Sequence, residues 1–289
     1  MKKIVLLSLS LLFSLYSFSQ NSLLWKVENP DKPGRISYVF GTMHLQDSSI
    51  NCFGDEVWSA ITSCEVVAGE LDLKDPKVMM SLMGKMNMKD TTLSDLLTPD
   101  EMKSLTKVMA DLVEPFLWTM SQKMKPFFLM APIYAAIDTL PKYDLPMDMR
   151  IMNAGKTSVG LETADEQMAA VESISLKDQA EMLFELTQNM DSVRSSFAEM
   201  KKLYLAQDID GLLEFTELAE VDPSFSTNFI VTRNQRMAER LVSMLDTQTV
   251  FCAVGAAHLA GEEGMLNYLR EKSFVLTPVK FSFMSEGCK

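Results

Sequence analysis

Val39-Phe40-Gly41-Thr42-Met43-His44-Leu45 ends an apolar run on a glycine and places a histidine three residues later. The same grammar returns more than 200 residues on, as Val254-Gly255-Ala256-Ala257-His258-Leu259. These two segments hold the only 2 histidines of the 289-residue chain. A short apolar run closed by glycine reads as a buried strand that delivers side chains at its carboxyl end. Imidazole is the common side chain for metal ligation and for proton transfer near neutral pH. Two distant strands that end alike therefore predict one sheet, with both histidines brought to the same place.

The rest of the chain supplies the other pieces. Ser22–Val27 and Arg35–Phe40 read as strands joined by the turn Asn29-Pro30-Asp31-Lys32-Pro33-Gly34. Gly54–Ser63 reads as a helix and Glu65–Leu71 as a strand. From about 75 to 155 the periodicity is helical, with Asp100–Leu112, Phe127–Leu140 and Pro146–Ala154 the clearest segments and Pro132 a candidate kink. Lys156–Glu162 returns to strand, and Ala164–Leu245 holds four or five helices with a break at Asp222-Pro223. Strand Thr249–Val254, helix Glu262–Lys272 and strand Phe274–Lys280 close the chain. The expected fold is α/β, one domain over residues 20–289. Its central mixed sheet is built from N- and C-terminal strands, with a large helical insertion at about 75–155.

Residues 1–19 read as a signal peptide: Lys2-Lys3, an apolar run from Ile4 to about Phe18, and small residues before Gln20. Export to the periplasm or the extracellular space is the expectation, with no membrane span once the leader is removed. Loss of the leader takes the formal charge from −12 to about −14. That acidity argues against binding nucleic acid or anionic lipid. The spacing of Cys52, Cys64, Cys252 and Cys288 declares no disulfide framework. The helix between Cys52 and Cys64 would hold them roughly 15 Å apart, beyond disulfide reach. Cys252 reads as a core residue.

In open α/β sheets ligands bind outside the carboxyl ends of the strands. His44, Glu70, Glu162 and His258 each stand at such an end. If the four strands run parallel, the four side chains share one rim, with Gly41 and Gly255 allowing close backbone approach. Two imidazoles and one or two carboxylates suit a divalent cation such as Zn, Mn, Co or Fe. Glu70 would serve as ligand or general base. Glu162 could instead cap the helix that follows. Arg233 or Asn234, on the helix Phe229–Leu245, would stabilise an oxyanion. Asp148 and Arg150 read as a local ion pair. Met79, Met80, Met83, Met86 and Met88 read as flexible core or as the lining of a groove for peptide or lipid.

At these residues the chain resembles the TraB/PrgY/GumN family, which includes the animal Tiki proteases. The resemblance rests on Gly41-Thr42-Met43-His44, Gly255-Ala256-Ala257-His258 and Glu70, with Leu24-Trp25-Lys26-Val27 at the opening. Gly160-Leu161-Glu162-Thr163 with Gln167, the pair Arg233-Asn234, and the closing Gly261 and Gly264 extend it. It implies a metal-dependent hydrolase acting on a peptide or protein, with Mn or Co favoured and a fold like erythromycin esterase and the ChaN haem-iron proteins. By resemblance His44, Glu70 and His258 carry the site, with Glu162, Arg233 and Asn234 as candidates. Two other readings stand beside it. One is a metal-free esterase-type hydrolase with His44 as general base. The other is a non-catalytic exported protein that sequesters a peptide or haem.

Overall fold

Six strands pair into one sheet in the order β4-β3-β5-β2-β1-β6. They are β1 (Leu24–Glu28), β2 (Ile36–Thr42), β3 (Val66–Gly69), β4 (Ser158–Gly160), β5 (Val250–Gly255) and β6 (Val275–Val279). The structure, a computed structural model, describes residues 21–44, 47–137, 145–218 and 227–284. The leader and the Asp222-Pro223 break expected from sequence lie outside these residues. Among the described residues no helix is long and apolar enough to cross a membrane.

β4, β3, β5 and β2 run parallel to one another, and β1 lies antiparallel between β2 and β6. The mixed α/β sheet built from the two ends of the chain is thus present. The central strands are apolar along their length because helices cover both faces. Val39, Phe40, Val250, Phe251, Cys252 and Val254 are fully buried. β6 is only partly covered and carries Pro278, whose missing N–H is tolerated on an edge strand.

Among the described residues six helices lie between β3 and β4: Pro76–Lys85, Leu93–Leu96, Pro99–Met109, Pro115–Ser121, Pro126–Ile137 and Met147–Ala154. Several begin on a proline, which suits the first helical turn. Pro132 sits inside the fifth without ending it. Between β4 and β5 come Ala164–Glu172, Leu176–Gln188, Met190–Leu205 and Ile209–Leu218, then a π-helical turn (Thr227–Val231) that feeds Thr232–Leu245. One apolar core lines the sheet, and a second forms among helices of both groups, with Leu105, Met109, Ile133 and Leu183 at its centre.

The helix Met190–Leu205 is tied to the chain around His44 at two points. Tyr204 is fully buried, and its hydroxyl donates to the Gly41 carbonyl at 2.8 Å. Lys201 forms an ion pair with the buried carboxylate of Asp47, whose other oxygen accepts from the Ser49 amide at 2.8 Å. Cys64 and Cys252 are free and buried. Cys52 is disulfide-bonded, which its spacing did not declare. Cys288 lies outside the described residues.

Removing one buried hydroxyl tests the first tie. Tyr204→Phe should cost about 1 kcal/mol and lower Tm by roughly 2–4 °C in a thermal scan. An unchanged Tm would show that the Tyr204–Gly41 bond does not anchor the helix.

Candidate functional site

The parallel register sets the site. Thr42 lies opposite Gly255, and Gly69 lies opposite both Ala253 and Gly160. The carboxyl ends of β2, β3, β4 and β5 therefore form one rim. His44, Glu70 and His258 come together there around a cavity of about 390 Å³. Glu162 stands behind them, outside the cavity lining.

Gly255 is the centre of the group. Its N–H donates to Glu70 Oε1 at 2.9 Å. A Cβ on Gly255 would stand 3.3 Å from Glu70 Oε1, 3.4 Å from His258 Cδ2 and 3.9 Å from His44 Nε2. The three candidate donors thus surround a space that only glycine leaves open. Gly41 differs from the expectation. Its missing side chain is filled by protein, since a Cβ there would meet Leu259, Leu23 and the Ala256 backbone at 2.9–3.1 Å. It lets the short 3₁₀ turn Ala256–His258 pack against β2 and does not line the cavity.

Each imidazole has its Nδ1 engaged. His258 Nδ1 lies 2.6 Å from Asn234 Oδ1, and His44 Nδ1 lies 3.0 Å from Asp148 Oδ2. An acceptor at Nδ1 selects the tautomer whose Nε2 lone pair is available to a cation. The two differ in setting. His258 is buried, and burial pushes its pKa down to about 4. The His44 side chain is 67% exposed at the cavity mouth, and the Asp148 hydrogen bond and charge push its pKa up to about 9.

Glu70 faces the histidines with one oxygen and the protein with the other. Oε1 is 3.8 Å from His258 Nε2. Oε2 accepts from Arg233 at 2.6 Å and from Gln167 at 3.3 Å. Burial alone would raise its pKa. The Arg233 guanidinium, the two histidines and the Gly255 amide together hold the carboxyl well below the usual range. Burial likewise opposes the charge on Arg233, but Glu70 and Glu162 hold it protonated.

Glu162 is not placed to ligate a metal beside the histidines. Its side chain is fully buried, one oxygen bonds Arg233 at 2.9 and 2.7 Å, and the other lies 3.3 Å from Arg236. It does not cap the following helix either; Thr163 does, reciprocally with Glu166. Asn234 is fully buried with both ends of its amide engaged, Oδ1 by His258 and Nδ2 by the Glu263 carbonyl at 2.8 Å. It orients His258 and does not line the cavity. Arg233 does line the cavity, with Nη1 3.5 Å from His258 Nε2.

The late helix carries more than Arg233-Asn234. Arg233, Arg236 and Arg240 recur at helical spacing and alternate with Glu70, Glu162 and Glu166, ending in a two-point Arg240–Glu166 pair at 2.7 and 2.8 Å. Asp148 and Arg150 are not a local pair. Asp148 takes His44, while Arg150 donates to the Asn51 carbonyl at 2.6 Å and lies over Trp58. The methionines of the helix Pro76–Lys85 do not form the cavity wall: Met80 and Met83 are exposed. The helical wall is instead Tyr134, Phe197, Met200, Leu212, Phe229 and Ile230.

A profile of the TraB/PrgY/gumN family matches residues 23–278. The chain belongs to the TraB/PrgY/gumN family. Its similar curated relatives include metalloprotease TIKI2 of Danio rerio, at 22% identity over 88% of this chain and 60% of the relative. Metalloprotease TIKI1 of Xenopus tropicalis is 22% identical over 92% of this chain and 64% of the relative. A metalloprotease TIKI homolog of Nematostella vectensis is 20% identical, over 90% and 67% respectively. The chain thus spans about 60% of the length of the first of these relatives. No solved structure matches the chain.

For this TraB/PrgY/gumN member the donor set can be tested against a cation. Among the described residues no group of three or more His, Cys, Asp or Glu side chains is drawn tightly enough to hold a metal as it stands. The chemistry of the set is nevertheless suitable: two imidazoles and one carboxylate line the same cavity, with His44 Nε2 and Glu70 Oε1 turned to the space at Gly255.

Gly255→Ala should close that space without straining the backbone, whose φ of −51° any residue adopts. Equilibrium titration with Mn²⁺ or Co²⁺ should show at least a tenfold loss of affinity with little change in Tm; unchanged affinity would remove Gly255 from the centre of the site. The ion-pair ladder gives a pH test. The Arg240 hydrogen bonds lower the Glu166 pKa from 4.5 to about 2. Its stabilisation is therefore present above the unfolded value and lost as pH falls toward 2. Glu166→Gln should lower Tm at neutral pH and flatten the loss of Tm between pH 4.5 and 2. Parallel Tm–pH curves would show that the pair contributes nothing.

Proposed function

We propose that this protein is a metal-dependent hydrolase of peptide bonds. The observation that carries the reading is the pair of imidazoles, each held at Nδ1, that line one cavity together with Glu70. The names of the similar TIKI metalloproteases support the same class.

His44, His258 and Glu70 Oε1 would hold a divalent cation, Mn or Co by family resemblance. When bound it supplies Lewis acidity toward a carbonyl and toward water. The protein's own groups do the rest. Asn234 keeps the His258 ring oriented. Arg233, Gln167 and the Gly255 amide hold Glu70 as a fixed anion, which suits a ligand better than a proton carrier. Arg233, kept charged by Glu70 and Glu162, supplies positive potential where negative charge develops on the substrate. The helical wall excludes water from one side of the cavity.

The metal-free reading needs His44 as an unprotonated base. Ligation of a cation needs the same unprotonated Nε2, so the upward push of Asp148 on the His44 pKa, to about 9, opposes both readings alike and does not separate them. Sequestration remains the second reading. The apolar helical wall beside the cavity favours it, because such a surface can hold a peptide without cleaving it.

Digestion of an unbiased peptide mixture, followed by mass spectrometry, separates the three. Cleavage that requires Mn²⁺ or Co²⁺ and is lost in His258→Ala, by at least a hundredfold, is the expected result. Cleavage that survives chelation would restore the metal-free hydrolase. Saturable peptide binding with no product, unaltered by Glu70→Gln, would establish sequestration.

A further inference from the structure

Asp148 has no role in the reading above beyond touching His44, yet its placement is specific. It lies in the helix Met147–Ala154, the last before β4 and far in sequence from both G-x-x-H segments. Its carboxylate approaches His44 Nδ1 at 3.0 Å and is itself largely shielded, with 17% of its side chain exposed against 67% for His44.

Three residues fix that helix in place. Arg150 Nη1 donates to the Asn51 carbonyl at 2.6 Å and its guanidinium stacks over Trp58, 5.6 Å from the ring centroid. Met147 is fully buried, with its sulfur 3.4 Å from the Tyr204 hydroxyl that also bonds Gly41. Met152 is buried beneath Gly69, with its Cε where a Cβ on that glycine would stand. The helix is thus keyed to β2, to the chain following it and to the end of β3. Asp148 is presented to His44 by a packed element, not by a mobile side chain reaching across solvent.

The second histidine has an equivalent partner of different charge. His258 meets the amide oxygen of Asn234, and His44 meets a carboxylate. Both acceptors leave Nε2 for ligation, and a carboxylate behind an imidazole also raises its basicity as a donor. We propose that Asp148 is the positioning residue for His44, completing the centre from the helical insertion as Asn234 completes it from the late helix. This rests on the metal-dependent reading of the site.

The test uses the full chain, with Mn²⁺ or Co²⁺ alone as probe and titration calorimetry as readout. Asp148→Ala should weaken cation affinity by 10- to 100-fold, the usual cost of losing such a partner, while Tm without metal changes little. Asp148→Asn retains an oxygen that can accept from Nδ1–H but loses the charge, so it should fall between wild type and the alanine variant. His258→Ala serves as the control that abolishes binding. Affinity unchanged in both Asp148 variants, while wild type binds and His258→Ala does not, would overturn the proposal and leave the metal reading intact. Absence of cation binding by wild type would overturn both. Should Asp148→Ala not fold, a graded loss in Asp148→Asn supports the assignment, and wild-type affinity in it overturns the charge-dependent part and with it the proposal.

Discussion

Parallel pairing of β2 with β5 is the constraint from which the rest follows. It sets Thr42 against Gly255, and only this register brings the two G-x-x-H segments to a common level on the rim. A shift by one residue would turn every side chain of one strand to the opposite face, moving Phe40 or Phe251 out of the core. The packing of the sheet and the meeting of the histidines are therefore one requirement. Gly41 serves the same end from below, because the turn bearing His258 packs where its side chain would be.

The buried charges set the second constraint. Glu70, Arg233 and Glu162 lie in a region from which water is nearly excluded. Removing one member of such a group leaves an uncompensated charge, at a cost of about 3–5 kcal/mol, whereas an apolar replacement of the whole group is often harmless. Stability alone does not explain why the ladder is there. It fixes Glu70 Oε1 toward His258, and that geometry would be lost in an apolar core. Arg236, Arg240 and Glu166 continue the alternation outward to solvent, so Glu162 and Glu166 each meet a cation.

Much of this was legible in the chain. Apolar runs closed by glycine identified β2 and β5, and their shared grammar placed His44 and His258 together. Glu70 stood out as a carboxylate at the end of an apolar strand. What was not legible depends on tertiary contact. Nothing local to Met147-Asp148-Met149-Arg150 says that Asp148 faces a histidine more than 100 residues earlier; the spacing of opposite charges points to a local pair. Glu162 looks like a rim ligand until the guanidinium of Arg233 is seen between it and the cavity. The recurrence of Arg233, Arg236 and Arg240 on one helical face was a usable signal, since three cations aligned toward a sheet edge need carboxylates to meet them. The methionine cluster divides, with Met88 buried and Met80 and Met83 exposed, because helical spacing does not say which face is outward.

The unequal partners of the two histidines follow from where each one sits. His258 lies deep, beside Glu70 and the already charged Arg233. A second carboxylate there would be buried without a cation of its own, and an amide gives the same hydrogen bond with no charge to desolvate. His44 stands at the cavity mouth, where solvent lowers the cost of a carboxylate behind it. Burial thus permits Asp148 at one ring and requires a neutral acceptor such as Asn234 at the other. The shallow histidine gains the stronger electrostatic support, and the deep one is held by packing and by a short hydrogen bond at 2.6 Å. One rim therefore carries two imidazoles held at the same nitrogen and differently polarised, which an even distribution of identical partners would not give.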